Sequence, residues 1–460
     1  MHSLNLRTHD ENGTTAKTPG SPRCNDKNVN MHILWLKTEL LHPIDKGGKI
    51  RTYNMLKQLK RDHEITYLTL DDSAVGAAER EQAREYCDEL VCVPHQLREK
   101  FTVGFYSELL FNLLSSLPYA IKKYDSPVMR REIGERAKAG MFDLIVCDFL
   151  APAANVPFDL GWPTVLFQHN VEAMIWKRHY EVQSNPLKKA YLGKQWLKMR
   201  AFERKMCRRF DSVVAVSDDD REQMRNEYGV ESVFDVPTGV DTDFFRPSGR
   251  QQPSPRNIVF TGSMDWLPNE DAISYFTEKV MPRIKQAIPD VTLTVVGRNP
   301  YPSLRELARR DCSIEVTGRV DDVRPYIERA AAYVVPLRIG GGTRLKIYEA
   351  MAMEKAIIST SIGAEGLPLE HGAELLLADT SELFAEAVIR VLSDKALASA
   401  LGNRAAATVR AKFGWERVAS RFGGICEETL ARARMGKATP ARTGQSHVTE
   451  GKRAEPVAET

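Results

Sequence analysis

Apolar residues fall mostly in short continuous runs, and polar stretches with helical spacing separate them. Runs at 31–38, 64–70, 90–93, 142–147, 163–167, 211–216 and 232–236 predict one series of buried strands. A second series follows at 257–261, 291–296, 313–317, 332–336, 356–359 and 375–377. Helical spacing appears between them, at 49–61, 188–209 and 415–434 among others. Strands that alternate with helices in this way build parallel sheets, and the two series predict two α/β units. Between the series, 246–256 is polar and contains three prolines, so it is read as a linker. The stretch 101–124 is apolar and aromatic; Phe105, Leu109, Leu110 and Leu113 predict a helix buried in the first unit, and a lipid-facing patch is the alternative reading.

The chemistry concentrates at 336–367. There a strand runs into Gly340, Gly341 and Gly342, and a helical pattern follows through Leu345, Ile347, Met351 and Met353. Glycines let the backbone approach a ligand, and a helix N-terminus favours an anion. Arg344 and Lys346 put two cations where the helix dipole alone prefers acids, which points to a phosphate opposite them. Glu349 comes one turn later and can accept hydrogen bonds from two hydroxyls, as a ribose offers. A loop that only turns the chain is the plainer alternative.

These residues resemble the nucleotide-sugar site of the family-4 retaining glycosyltransferases, which have two facing Rossmann-like domains, the GT-B architecture. Gly47-Gly48, Val216-Ser217, the segment VPTGVD at 236–241 with Phe245 and Pro247, Thr261-Gly262, Val296-Gly297-Arg298 and Glu365-Gly366-Leu367 resemble the same family, in the same order. The resemblance spans roughly residues 31–422. It implies an acceptor domain at 31–245, a linker at 246–256, a nucleotide-sugar domain at 257–412 and a helix at 413–434 that packs back on the first domain. It also implies a substrate site built from Gly47, Gly48, Gly262, Arg298, Gly318, Gly341, Gly342, Thr343 and Glu349, with His169, Arg344 and Lys346 as catalytic candidates. His169 matches a family histidine that lies beside the transferred sugar; a histidine satisfied in a strand-end hydrogen bond is the alternative. In one respect the chain departs from the family: Gly341 stands where a second glutamate usually holds the donor sugar.

Composition narrows the rest. The 64 basic and 61 acidic residues leave a net charge of +3, so nothing suggests a nucleic-acid partner. Seven scattered cysteines lack zinc-ligand spacing and fit a reducing cytoplasm. No run reaches the length of a membrane span. The basic helix at 188–209 reads as a solvated face, with contact to an anionic membrane or a phosphate-bearing acceptor as the alternative. The tails at 1–30 and 435–460 have the polar composition of disordered segments, and Met31 reads as a candidate start.

Asp241 and Asp243 imitate a metal-binding carboxylate pair, but they fall in the segment before the linker, and cations already cover the phosphate, so no metal or other cofactor is expected. Neither unit opens with a complete G-x-G-x-x-G and a ribose-binding acid, which argues against hydride transfer. The expectation is a cytoplasmic, metal-independent hexosyltransferase that acts on a nucleotide sugar and a saccharide or lipid-linked acceptor in cell-surface polysaccharide synthesis, with the inner face of the plasma membrane as the alternative location. A sugar-nucleotide epimerase of similar fold and an idle glycosyltransferase-like scaffold stay open.

Overall fold

The apolar runs pair as two separate parallel sheets in the computed structural model, which describes residues 31–44, 47–71, 76–339 and 345–438. The first sheet contains β1 (His32–Lys37), β2 (Glu64–Asp71), β3 (Glu89–Pro94), β4 (Leu144–Asp148), β5 (Thr164–Phe167), β6 (Ser212–Ala215) and β7 (Val233–Asp235). Their order is β3-β2-β1-β4-β5-β6-β7. The second contains β8 (Ser254–Thr261), β9 (Thr292–Val296), β10 (Ile314–Gly318), β11 (Ala330–Val335), β12 (Ala356–Ser359) and β13 (Leu376–Leu377), in the order β10-β9-β8-β11-β12-β13. These are two Rossmann-like α/β domains that face each other across a cleft.

Both sheets reverse their winding beside their first strand. β1 pairs with β2 on one side and β4 on the other, and β8 pairs with β9 and β11. Connections diverge to opposite faces at such a point and leave a crevice beyond the carboxyl ends of the two strands. The sequence places its chemistry at these ends: Lys37 closes β1, Asp148 closes β4, Gly262 follows β8, and the glycine stretch follows β11.

The chain crosses between domains twice, side by side. Val240 N–H donates to Phe413 O at 2.8 Å, and Val240 bridges to Gly414. Gly239 is required there, because a Cβ at that position would lie 2.6 Å from the Trp415 ring. The returning helix Trp415–Ala438 then packs on the first domain. Its Phe422 ring sits 5.6 Å from Trp35 and 4.8 Å from Phe167, and Arg432 reaches Ser212 Oγ at 2.7 Å and Ser232 Oγ at 2.9 Å. Each buried aromatic of this kind contributes on the order of 1.5–3 kcal/mol, so the last helix is part of the first core.

Three local expectations are corrected. The first helix is Gly47–Leu59, so the paired glycines form its opening turn instead of a loop before it. β8 starts at Ser254, inside the stretch read as linker. The helix Val103–Asn112 forms where apolar spacing suggested it, but it is not buried: Asn112 is its one buried residue, and Val103, Tyr106 and Leu110 face outward. Phe105 and Leu109 are half-buried against the segment that follows.

Candidate active site

On the first domain, the carboxyl end of β4 carries a buried anion. Asp148 Oδ2 accepts from Lys37 Nζ at 2.9 Å, from Thr52 Oγ1 at 2.6 Å and from Trp35 Nε1 at 3.0 Å. Its Oδ1 is 2.7 Å from His169 Nε2. Burial alone raises a carboxyl, but the Lys37 ammonium and the hydrogen bonds outweigh it and hold Asp148 well below the usual carboxylate range. An ionised carboxylate can only accept, so the proton on His169 is at Nε2. Burial pushes the imidazole down to about 3, so the ring is neutral at ordinary pH and its Nδ1 is an acceptor. Among the described residues nothing donates to that Nδ1. The ring is stacked 3.8 Å from Phe149 and tilted against Phe167, which fixes its orientation.

The turn that carries His169 is itself anchored. The buried Glu203 accepts from Gln168 Nε2 at 3.1 Å, from the N–H groups of Glu172 and Ala173 at 2.8 and 2.9 Å, and from the Tyr228 hydroxyl at 2.9 Å. A carboxylate at the start of the helix Glu172–Val182 suits its dipole.

Gly48 packs against the underside of the same cluster: a Cβ there would meet Phe149 Cζ at 2.8 Å. Gly47 opens towards the second domain, where a Cβ would be 4.0 Å from Leu345 Cδ1. Leu345 begins the helix Leu345–Ala352. Two helix N-termini, one from each domain, therefore meet across the cleft, and both bring positive dipole ends and N–H groups without intrahelical partners to the same space.

The second domain supplies the polar floor. Lys346 Nζ donates to Asn269 Oδ1 at 2.9 Å and lies 4.2 Å over the Phe260 ring. Gly262 is close beneath, since a Cβ on it would be 2.8 Å from that ammonium. Gly297 has no room for any side chain: its Cβ would fall 1.7 Å from Gly262 O. Arg298 is held at the rim by its Nε–H to Ser263 Oγ at 2.8 Å, and Gly318, with φ of 70°, ends β10 beside it. Gly297 N–H to Gly318 O at 3.2 Å and Gly262 N–H to Val296 O at 2.9 Å tie the three strand ends together. Glu349 is half-buried one turn after Lys346, and among the described residues its carboxylate has no hydrogen-bond partner. Burial raises it to about 7, against the pull of Lys346. Gly341, Gly342, Thr343 and Arg344 lie outside the described residues.

The cleft thus brings together Gly47, Gly48, Gly262, Lys346 and Glu349, with Arg298 and Gly318 on the rim and His169 set back in the first domain. Sequence reasoning missed Asp148, Lys37, Thr52 and Trp35, whose strand-end and helix positions carry no motif. A cavity of about 1640 Å³ opens at the hinge between Ser217, Asp241 and Trp415, but it includes none of those cleft residues. The strand ends are the better candidate, because they gather the glycines and the Glu349 carboxylate, which has no hydrogen-bond partner among the described residues. Asp241 caps a turn by accepting from the N–H groups of Asp243 and Phe244 at 3.1 and 2.9 Å. Among the described residues no three His, Cys, Asp or Glu side chains are grouped as metal ligands.

Two family models match this chain: one described as Glycosyltransferase Family 4 over residues 46–244, and one described as Glycosyl transferases group 1 over residues 255–394. A Klebsiella pneumoniae protein described as an uncharacterized 44.6 kDa protein in the cps region is 22% identical over 369 residues, which is 78% of this chain and 90% of that one. A phosphatidyl-myo-inositol mannosyltransferase of Mycobacterium tuberculosis is 28% identical over 226 residues, 46% of this chain and 58% of that protein. Among solved structures, Anabaena Alr3699/HepE in complex with UDP superposes with a TM-score of 0.60 at 14% identity, covering 87% of this chain and all of that one.

Proposed function

We propose that the chain is a GT-B-fold glycosyltransferase, since two glycosyltransferase family models match successive parts of it, and that it transfers a hexose from a nucleoside-diphosphate sugar to a saccharide or lipid-linked acceptor, with retained configuration and no resident metal. The observation that carries this reading is the meeting of two helix N-termini across the cleft at Gly47 and Leu345, with Lys346 on one side beside Glu349, which has no hydrogen-bond partner among the described residues. The two dipole ends favour a diphosphate beside them, and the Glu349 carboxylate can accept from ribose hydroxyls.

In the transfer, the bond from the sugar C1 to the diphosphate breaks and negative charge grows on the leaving oxygen. Fixed donors aimed at that oxygen lower the barrier without reorganising. Lys346 and the two helix N-termini are such donors, and Arg344, two residues before Lys346 in sequence, is the candidate for a second cation. The neutral His169 offers Nδ1 to a sugar hydroxyl and so sets the sugar's orientation, while Asp148 holds the ring. With retention, the acceptor hydroxyl approaches C1 from the face the diphosphate leaves, and the departing phosphate oxygen is the base on that face. The mannosyltransferase and the cps-region relative support an acceptor of the cell envelope.

The test is incubation with a panel of nucleotide sugars, with and without candidate acceptors, followed by product analysis. Free nucleoside diphosphate together with a glycosylated acceptor is expected. Recovery of an epimerised donor, or no turnover of any donor, would overturn the reading.

A further inference from the structure

The helix Val103–Asn112 contradicts its sequence expectation in a way that points outward. Val103, Leu110 and Leu114 are 87%, 66% and 89% exposed and lie seven and four positions apart along one stripe, and Phe101 and Phe111 flank it at 81% and 71%. Contiguous large apolar side chains do not stay in water on a monomer without a partner. The patch is held rigidly: Asn112 Oδ1 accepts from Gln195 Nε2 at 3.0 Å, and Tyr119 N–H donates to Gln195 Oε1 at 2.8 Å. These bonds dock it on the basic helix Pro186–Cys207.

That helix contributes charge of one sign. It carries seven lysines and arginines and one acid, Glu203, which is buried and committed to the His169 turn. Lys188 and Lys194 are exposed on it, beside Leu187 and Leu197, which are also exposed. Lys100 adds a further exposed cation just before the apolar stripe.

We propose that this surface seats the first domain on an anionic lipid bilayer, with the apolar stripe in the acyl boundary and the cations at the headgroups. An apolar face edged by lysines has the chemistry of an interfacial helix. A second copy is a poor occupant, because a two-fold contact would set lysines against the same lysines. The connection that carries the stripe starts at the carboxyl end of β3, on the cleft side of the sheet. A bilayer there lies next to the acceptor half of the cleft. The inference stands on this surface alone and does not require the donor reading.

The test uses the full chain and sedimentation with vesicles of phosphatidylcholine, with and without phosphatidylglycerol. Binding is expected only with the anionic lipid, and salt weakens it. Phe111→Asp and Leu114→Asp lower the bound fraction at least about tenfold, and Lys188→Ala and Lys194→Ala about fivefold per cation. All four positions are exposed, so the unfolding temperature is unchanged. Three results would each overturn the proposal: no binding to anionic vesicles, full binding by these variants, or self-association in lipid-free solution that Phe111→Asp abolishes. Nucleotide binding, measured without vesicles on the same variants, reports on the donor site separately.

Discussion

His169 Nε2 and Asp148 Oδ1 are 2.7 Å apart, and the other oxygen of that carboxylate is already shared by Lys37, Thr52 and Trp35. One buried charge thus holds together two strands, the first helix and the turn after β5.

Asp148→Asn tests how much depends on it. An amide cannot neutralise Lys37, which is 2% exposed, and it offers a donor where the carboxylate only accepted. Removing one partner of a buried ion pair costs about 3–5 kcal/mol. Denaturant unfolding is expected to show a loss of that size, and a stability equal to the parent's would mean that the pair contributes no net energy.

Acid should weaken the fold through His169. Its folded value lies near 3 and its ordinary value is 6.5, so its contribution is complete above 6.5 and is lost as the pH falls from 6.5 towards 3. The unfolded chain takes up a proton there that the folded chain refuses. The slope from this one group is at most about 1.4 kcal/mol per pH unit. Urea unfolding at a series of pH values is expected to show a shallower dependence for His169→Gln than for the parent. Identical slopes would place the titrating group elsewhere.

Nucleotide affinity should depend on pH through Glu349. The free carboxyl titrates near 7, because burial raises it, and ribose hydroxyls bind its ionised form. Affinity therefore rises with pH up to about 7 and then levels off, and it is about tenfold weaker at pH 6 than at pH 8. Glu349→Gln has lower affinity and lacks this rise, so subtracting its profile removes the nucleotide's own ionisation. Calorimetric titrations in which parent and variant profiles run parallel would remove the carboxylate from the site.

Gly297 and Gly318 separate crowding from backbone strain. Gly297→Ala drives a methyl against Gly262 O and should cost about 1–3 kcal/mol or more. It should also weaken donor binding, because Gly262 must shift. Gly318→Ala meets nothing within 4 Å and pays only for a left-handed φ of 70°, about 1–2 kcal/mol. Thermal unfolding and nucleotide titration of both variants check the contrast; weaker donor binding from Gly318→Ala alone would reverse it.

Much of this was legible in the chain because parallel sheets write themselves locally. Buried strands are unbroken apolar runs, and strand ends carry glycine, so the positions of Gly262, Lys346, Glu349 and His169 at or near strand ends could be read from spacing and family likeness. Asp148 could not. Its partners Lys37 and Thr52 are 111 and 96 residues away, and three of the four groups around it look in sequence like ordinary strand or helix residues. The helix Val103–Asn112 was misjudged for a related reason. Helical spacing says which side chains share a face, but only the tertiary contacts of Asn112 and Tyr119 decide which face is covered.

The return of the helix Trp415–Ala438 to the first sheet has a consequence for biosynthesis. β7 ends at Asp235, and the helix that covers Trp35 and Phe167 is complete only at Ala438. About 200 residues of translation separate the two, roughly 10–40 s at ordinary ribosome speed. During that interval the first half of the protein emerges with an aromatic face still bare, and a nascent chain in this condition is a substrate for holding chaperones. A messenger truncated before codon 415 would leave that face open for good, so the first domain made alone should aggregate even though every strand of its sheet is present.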